Sequence, residues 1–146
     1  MKTTVQAADG SSSHKTALRR FAATCLFLLS LSVVTPALAQ DVSGTWTTNY
    51  DPIEIEWDDS LNIYIGYYAY QNLSAKMGGN LNEEGVWEGY WIQKTSEITC
   101  SKNRDGSPYW GRFRIQFDGN RFLGLWNYCD RRLVNKPDFH WKGRRQ

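Results

Sequence analysis

The sequence predicts an all-β fold, an antiparallel meander of about eight strands that closes into a small β-barrel or β-roll. Three observations support this. One pattern (aromatic, any residue, glycine, any residue, aromatic) occurs four times, and its glycines are spaced by about one β-hairpin. No segment of ten or more residues after residue 39 shows helical periodicity with caps. The copies lie at 64–68, 87–91, 109–113 and 122–126, preceded by the half copy Gly44-Thr45-Trp46.

The repeated pattern places two rings and one glycine on the same side of each strand, because residues i and i+2 point to the same face. A ring from the neighbouring strand can cover the space over each glycine. The glycines are separated by 22, 23, 22 and 13 residues, and the longer step fits one hairpin out and back. We therefore expect a sheet curled around an aromatic core. The glycines with this structural role are Gly44, Gly66, Gly89, Gly111 and Gly124.

The first four strands are predicted from period-two alternation between turn signals. Pro52 ends the first strand, and Asp58-Asp59-Ser60 forms the turn after the second. The third strand is apolar or aromatic on both faces, so we expect it to be central or covered. The fourth is weaker because it contains Gly78-Gly79. The predicted ranges are 42–49, 53–57, 61–70 and 75–81.

The last four strands follow from the same rules. Asn82-Glu83-Glu84-Gly85 precedes the fifth strand, which is predicted over 86–94 with a bent extension towards Cys100. The long polar loop 101–108 separates it from a hairpin around Asp118-Gly119-Asn120, a strong turn signal. The remaining ranges are 109–117, 121–129 and a final strand over 138–144. Closing such a sheet removes its two exposed edges, although the sequence leaves a closed barrel and an open curled sheet as alternatives.

The first 39 residues have the features of an export signal. Basic residues precede an apolar run from Phe21 to Val34, and Ala37-Leu38-Ala39 supplies a small-residue cleavage site. We expect residues 1–39 to be a signal peptide and residues 40–146 to form one secreted or periplasmic domain. The alternative is a retained N-terminal anchor, although the apolar run is short for a membrane span.

Charge is nearly balanced in the expected mature domain. Residues 40–146 contain 13 Lys and Arg and 14 Asp and Glu, although the whole chain has a net charge of +2. Acidic residues dominate before residue 98 and basic residues after it, which predicts a charge dipole. Such a dipole serves solubility and internal attraction, or the basic sector meets an anionic partner. Export and the balanced charge argue against a nucleic-acid partner.

Two cysteines remain after the signal, Cys100 and Cys129. An even pair in an oxidising compartment predicts one disulfide, which would contribute about 3 kcal/mol in the chain-entropy model. Two thiolates without neighbouring histidines do not make a zinc site, so no metal and no cofactor are expected.

The glycine-bearing face carries twelve rings, enough to fill most of the interior of an eight-stranded barrel. A solid aromatic core is therefore the expected interior. The alternative is a narrow pocket at one mouth, where tyrosine hydroxyls provide polar groups. These rings belong to Trp46, Tyr64, Tyr68, Tyr70, Trp87, Trp91, Tyr109, Phe113, Phe117, Phe122, Trp126 and Tyr128.

The opposite face carries the candidate binding residues. Tyr67, Tyr90 and Trp110 are expected to point outwards, with Arg112 and Arg114 beside Trp110. An exposed aromatic and basic strip of this kind is typical of surfaces that bind sugars or proteins. The alternative is that a loop after Cys100 or Cys129 covers the rings.

No catalytic residue is predicted. Glu54 and Glu56 lie opposite an apolar stripe, which indicates a solvated face. His140 is the only histidine after residue 39, and no nucleophile is suggested beside it. No phosphate loop, dinucleotide motif or cluster of metal ligands is visible.

The two ends of the domain resemble the lipocalin and avidin group of barrels. In that group a tryptophan on the first strand plugs one barrel end and an arginine on the last strand packs across its ring. The resemblance implies these roles for Trp46, in Gly44-Thr45-Trp46, and for Arg144, in Trp141-Lys142-Gly143-Arg144. The chain is also similar to small exported bacterial proteins that are built from Gly-x-Trp repeats and have no assigned function.

Together these features favour an exported, non-catalytic binding module for a small molecule or a glycan. One alternative is a small inhibitor barrel that acts on an extracytoplasmic protein through its 101–108 or 130–137 loop, because loops at a barrel end can enter a cleft. The other is a small enzyme that acts on glycans, because barrel mouths can host chemistry without a visible motif.

Overall fold

Eight antiparallel strands form a closed barrel in which each strand pairs with its neighbours in sequence and the first strand pairs with the last. The computed structural model describes residues 40–146, so the expected signal peptide lies outside the described residues. The predicted all-β meander is confirmed, and the barrel is closed. The strands are β1 (Gly44–Thr48), β2 (Ile53–Asp58), β3 (Ile63–Tyr70), β4 (Leu73–Leu81), β5 (Val86–Ile92), β6 (Trp110–Asp118), β7 (Arg121–Tyr128) and β8 (His140–Arg145).

Two of the differences between the predicted and the observed strand ends have clear local reasons. Gln71 and Asn72 both have positive φ, 51° and 61°, and form a two-residue turn that matches the twist of a hairpin. As a result β4 begins at Leu73 rather than at residue 75. β5 ends at Ile92 without a bent extension, and residues 93–109 leave the sheet as a long loop. A short 3₁₀ helix, Pro137–Phe139, leads into β8.

The barrel interior is largely aromatic, as the glycine pattern predicts. Trp46 and Trp87 are fully buried, and the Trp87 ring meets Phe113 edge-on with centroids 4.7 Å apart. Of the twelve predicted inward rings, those of Tyr70 and Tyr109 lie outside the core cluster. The aliphatic members of the core are Val42, Ile53, Ile55, Met77 and Ile115.

Glycines permit close approach at specific points in this wall. Gly143 lies opposite Phe122 in the β7–β8 ladder, and a Cβ atom at position 143 would collide with the Phe122 ring. Gly79 and Gly89 face each other across β4 and β5, and a Cβ atom on either would collide with the backbone of the other strand. The ring-over-glycine arrangement is therefore present at Gly143, which lies outside the repeat, and at the repeat glycine Gly111, where a Cβ atom would collide with the Trp91 ring.

One end of the barrel, the closed end, is filled by Trp46, Phe117 and Phe122, with centroid distances from Trp46 of 5.1 and 5.5 Å. The arginine that packs across Trp46 is Arg145, whose guanidinium carbon lies 4.9 Å from the ring centre. The prediction of Arg144 for this contact is wrong by one residue. Strand register explains the difference, because Trp46 pairs with Arg145, whereas Arg144 pairs with Thr47 and is exposed.

Successive turns of a meander alternate between the two ends of the barrel. The end opposite the closed end, which we call the open end, carries the long connections. Short turns at 59–62, 82–85 and 119–120 lie at the closed end. Two long loops lie at the open end, the β5–β6 loop (93–109) and the β7–β8 loop (129–139). Cys100 and Cys129 form the predicted disulfide, with Cα atoms 5.5 Å apart, and so join the two long loops. Within residues 40–146, no helix is long and apolar enough to cross a membrane.

Candidate ligand site at the open end

The open end of the barrel contains a cavity of about 790 Å³, which we call the mouth cavity. Inward-facing residues of β3, β5, β7 and β8 form its wall, and the connections at this end form its rim. Eight of the residues that line it are aromatic. They are Tyr50, Tyr68, Tyr70, Trp91, Trp126, Tyr128, Phe139 and Trp141.

Edge-to-face contacts hold these rings in place. Trp126 contacts Trp91 and Tyr128, with ring centroids 6.0 and 5.1 Å away, at interplanar angles near 80°. Trp141 contacts Tyr68 at 5.4 Å and the rim residue Tyr50 at 5.8 Å in the same geometry. Pairs of this kind are each worth about 0.5–1.5 kcal/mol beyond their burial, so the wall is a preorganised aromatic surface.

Tyrosine hydroxyls supply polar groups inside the cavity. Gln93 donates a hydrogen bond from Nε2 to the Tyr68 hydroxyl at 3.0 Å, and the Tyr128 hydroxyl donates to Glu97 Oε2 at 3.3 Å. Burial raises the pKa of Tyr68 far above its usual value. Burial, with the neighbouring Glu97 charge, raises the pKa of Tyr128 to about 12. Both hydroxyls therefore keep their protons at neutral pH and can donate hydrogen bonds.

Rim residues also connect to the wall. Trp126 Nε1 donates to the Tyr50 hydroxyl at 3.3 Å, and this hydroxyl donates to the backbone carbonyl of Asp138 at 3.3 Å. The β1–β2 connection and the segment before β8 are thus tied together across the mouth. This chain of contacts positions Tyr50 over the cavity edge, where it meets the Trp141 ring.

Two indole groups in the wall have no partner. The Nε1 atoms of Trp91 and Trp141 are buried and make no hydrogen bond with any residue in 40–146. Buried polar groups in folded proteins are nearly always paired, and an unpaired one costs about 1–3 kcal/mol. Both rings belong to the mouth cavity, but their Nε1 atoms are enclosed in the wall and do not face a ligand there.

The predicted outer strip is not an open surface. Trp110 is only 3% exposed because the 101–108 loop folds over it, and its Nε1 donates to the Lys102 carbonyl at 2.7 Å. Arg104 of the same loop places its guanidinium carbon 3.4 Å from the Tyr90 ring centre and 4.8 Å from that of Trp110. The expectation that Trp110 is exposed is wrong, and the alternative of a covering loop is correct.

The other three strip residues are accessible, and Arg112 lies opposite Tyr90 in the β5–β6 ladder. Tyr67 is 44% exposed on β3. Arg112 and Arg114 are exposed on β6, and Arg114 pairs with Glu88 at 2.8 Å. Whether these residues bind a partner stays a prediction.

The sequence missed the parts of the mouth cavity that depend on loops. Tyr50, Gln93, Glu97 and Phe139 come from connections, whose paths alternation rules do not specify. Trp141 carried a usable signal, since Trp141-Lys142-Gly143 repeats the aromatic, any residue, glycine spacing of the four copies. It was overlooked because the pattern is incomplete there.

The fold and this site define a class, a small antiparallel β-barrel with a ligand-sized cavity at one end. That architecture is compatible with the lipocalin and avidin group. No family model, curated protein or solved structure matches the chain. Among residues 40–146 there is also no group of three or more His, Cys, Asp or Glu side chains placed to hold a metal ion.

Proposed function

We propose that this protein is an exported, non-catalytic binding module that holds a small molecule or a short glycan in the mouth cavity. One observation carries the proposal, the cavity of about 790 Å³ with eight aromatic rings in its lining. Sites for small molecules commonly have volumes of about 300–1,000 Å³ and combine apolar walls with a few placed polar groups. The disulfide supports export, because such bonds persist in oxidising compartments.

Binding needs little rearrangement of this site. The wall rings are fixed by mutual contacts, and the disulfide joins the two loops beside the rim. Preorganisation of this kind reduces the entropy lost on binding. The protonated Tyr68 hydroxyl offers a directional contact to an acceptor on the ligand.

The test compares two tyrosines of β3 that lie on opposite sides of the barrel wall. Tyr70 lines the mouth cavity, whereas Tyr67 lies on the outer surface three residues earlier. Native mass spectrometry of the protein exported by its own first 39 residues detects any retained ligand. Calorimetric titration with that ligand, or with the best compound of a metabolite and oligosaccharide panel, gives the affinity.

Tyr70→Ala is expected to weaken binding about tenfold or more, which is the loss of one well-placed ring, and Tyr67→Ala to leave it unchanged. The reverse pattern would move the site to the outer surface. Absence of any ligand from both the spectrum and the panel would reject a small-molecule site.

A second candidate, a protein inhibitor, is favoured by one observation. The 93–109 and 129–139 loops emerge at the same end and are joined by the Cys100–Cys129 bond, which is how a rigid pair of loops is presented to a cleft. An inhibitor would lose its effect through changes at exposed loop tips such as Asn103 or Lys136, and Tyr70→Ala would leave inhibition intact.

A further inference from the structure

The rim of the mouth cavity is acidic. Asp51, Glu97 and Asp138 line it from three different connections, and the lining includes no Lys, Arg or His within residues 40–146. This contrasts with the chain around it, because the β7–β8 loop carries Arg131, Arg132 and Lys136, none of which reaches the lining. The acidic character is therefore local to the cavity.

Cations favour the faces of aromatic rings, and the barrel already uses this contact elsewhere. Arg104 stacks on Tyr90 and Trp110, and Arg145 stacks on Trp46. Within residues 40–146, no Lys or Arg stacks in this way on any of the eight rings that line the mouth cavity. Within the described residues, no basic side chain therefore competes with an external cation for these rings.

The acidic rim and the aromatic wall of the mouth cavity both favour a cationic ligand. A cation over Tyr, Trp or Phe gains about 0.5–2 kcal/mol, more as it becomes desolvated, and three carboxylates add attraction at the rim. An anionic ligand would meet the same carboxylates with no opposing base in the lining. The Glu97 charge also contributes to the raised pKa of Tyr128, as expected where the local potential is negative.

We infer that the ligand of the mouth cavity is a small organic cation, an alkylammonium or quaternary ammonium compound. This inference rests on the proposed function and specifies its ligand class. Its cationic group would lie against the wall rings with Glu97 and Asp138 beside it at the rim. An acceptor atom on the ligand would have the Tyr68 hydroxyl as a donor, since that hydroxyl accepts from Gln93.

The experiment uses three probes of nearly equal shape and different charge, choline, 3,3-dimethyl-1-butanol and 3,3-dimethylbutanoate. Each is titrated into the ¹⁵N-labelled, disulfide-bonded protein, and the indole N–H signals are followed by NMR. Trp91, Trp126 and Trp141 report on the cavity, whereas Trp46 and Trp110 lie elsewhere and act as internal controls.

Choline is expected to shift the three cavity indoles and to bind about tenfold more tightly than the neutral alcohol. The butanoate is expected to bind most weakly. Glu97→Gln with Asp138→Asn should reduce the preference for choline over the alcohol, while affinity for the alcohol stays the same. The control pair Glu83→Gln with Glu84→Gln, in the turn at the closed end, should leave the preference unchanged.

Equal affinity for choline and the alcohol would overturn the cation inference and leave the mouth cavity as a binding site. Stronger binding of the butanoate than of choline would also overturn the cation inference and leave the mouth cavity as a binding site. If no probe moves the cavity indoles, the cation inference fails, and the proposed function is decided separately by the retained ligand and the panel. Co-sedimentation with phosphatidylcholine vesicles separates a lipid headgroup from a free cation as the source of the same chemistry.

Discussion

The guanidinium carbon of Arg145 lies 4.9 Å from the centre of the Trp46 ring and joins the last strand to the first. Arg145 Nη2 also donates to the backbone carbonyl of Asp41 at 2.6 Å, and Trp46 Nε1 donates to the Val42 carbonyl at 3.0 Å. The contact therefore lies over the seam where β1 and β8 pair. It fastens the segment before β1 and the last strand to the closed end of the barrel.

Arg145→Ala is expected to lower the free energy of unfolding by about 1–2 kcal/mol, since it removes the stacking and a hydrogen bond from a charged donor. Arg144→Ala, one residue earlier on the outer surface, should change it by less than about 0.5 kcal/mol. Urea unfolding monitored by tryptophan fluorescence measures both. Equal effects would show that the arginine over Trp46 contributes nothing beyond its charge.

Gly143→Ala is expected to destabilise the barrel by about 1–3 kcal/mol, because its Cβ atom would overlap the Phe122 ring. Gly78→Ala is the matched control, since the nearest atom to a Cβ there is Ile63 Cδ1 at 3.5 Å, an ordinary contact. Thermal unfolding compares the two. Adding Phe122→Leu to Gly143→Ala should recover part of the loss if the clash is the cause.

Replacing both Cys100 and Cys129 by serine is expected to cost about 3 kcal/mol, because the bond closes a loop with a sequence separation of 29 residues. The variant should also bind the cavity ligand more weakly, since the two loops at the open end are no longer joined. Urea unfolding and ligand titration measure the two effects. Unchanged stability would contradict the chain-entropy argument.

Arg104→Ala is expected to loosen the loop over Trp110 and make that indole accessible to acrylamide quenching. Lys102→Ala is the control, because Lys102 holds Trp110 through its backbone carbonyl and its side chain is exposed. Acrylamide quenching is measured for both variants, with Trp110 distinguished from the other tryptophans by labelling. Equal quenching of the two variants would mean that the loop stays closed without the Arg104 stack.

Stability should fall as pH rises above 10, in part because of Tyr128 and in part because of Tyr68, whose pKa burial also raises. The pKa of Tyr128 is about 12 in the folded protein, against an ordinary value of 10.0 for tyrosine, so the unfolded chain releases this proton first. The contribution is fully present below pH 10 and is lost as pH rises to about 12. Tyr128→Phe should flatten this part of the profile, measured by urea unfolding at several pH values. A profile identical to that of the parent protein would exclude Tyr128 as its source.

Alternation and turn chemistry are sufficient to predict the strands and their meander order, but not whether the sheet closes. They work here because each strand buries one face and pairs with its neighbour in sequence, so local pattern and tertiary contact agree. Local patterns do not predict the register between the first and last strands, since no turn connects these two strands. That is why the sequence placed Arg144 rather than Arg145 over Trp46.

Loops limited the prediction of the site. Whether Trp110 is exposed depends on the path of residues 101–108, which is set by the Cys100 bond and the Arg104 stack rather than by a repeat.

The mouth cavity depends in the same way on Tyr50 and Phe139, which no periodic pattern places. The wall residues Tyr68, Trp91 and Trp126 were correctly assigned to the inner face because they belong to strands.

The β1–β8 pairing brings the two chain ends of the barrel together. Gln146 donates from its backbone N–H to the Thr45 carbonyl at 3.0 Å, beside the Asp41 carbonyl that Arg145 reaches. A short linker could therefore join Gln146 to Gln40, and new ends could be opened in the tight turn at Gly119-Asn120. The circularly permuted chain would keep the same closed sheet, with its termini still remote from the mouth cavity. Fusion partners attached at either end of the natural domain would leave that cavity free.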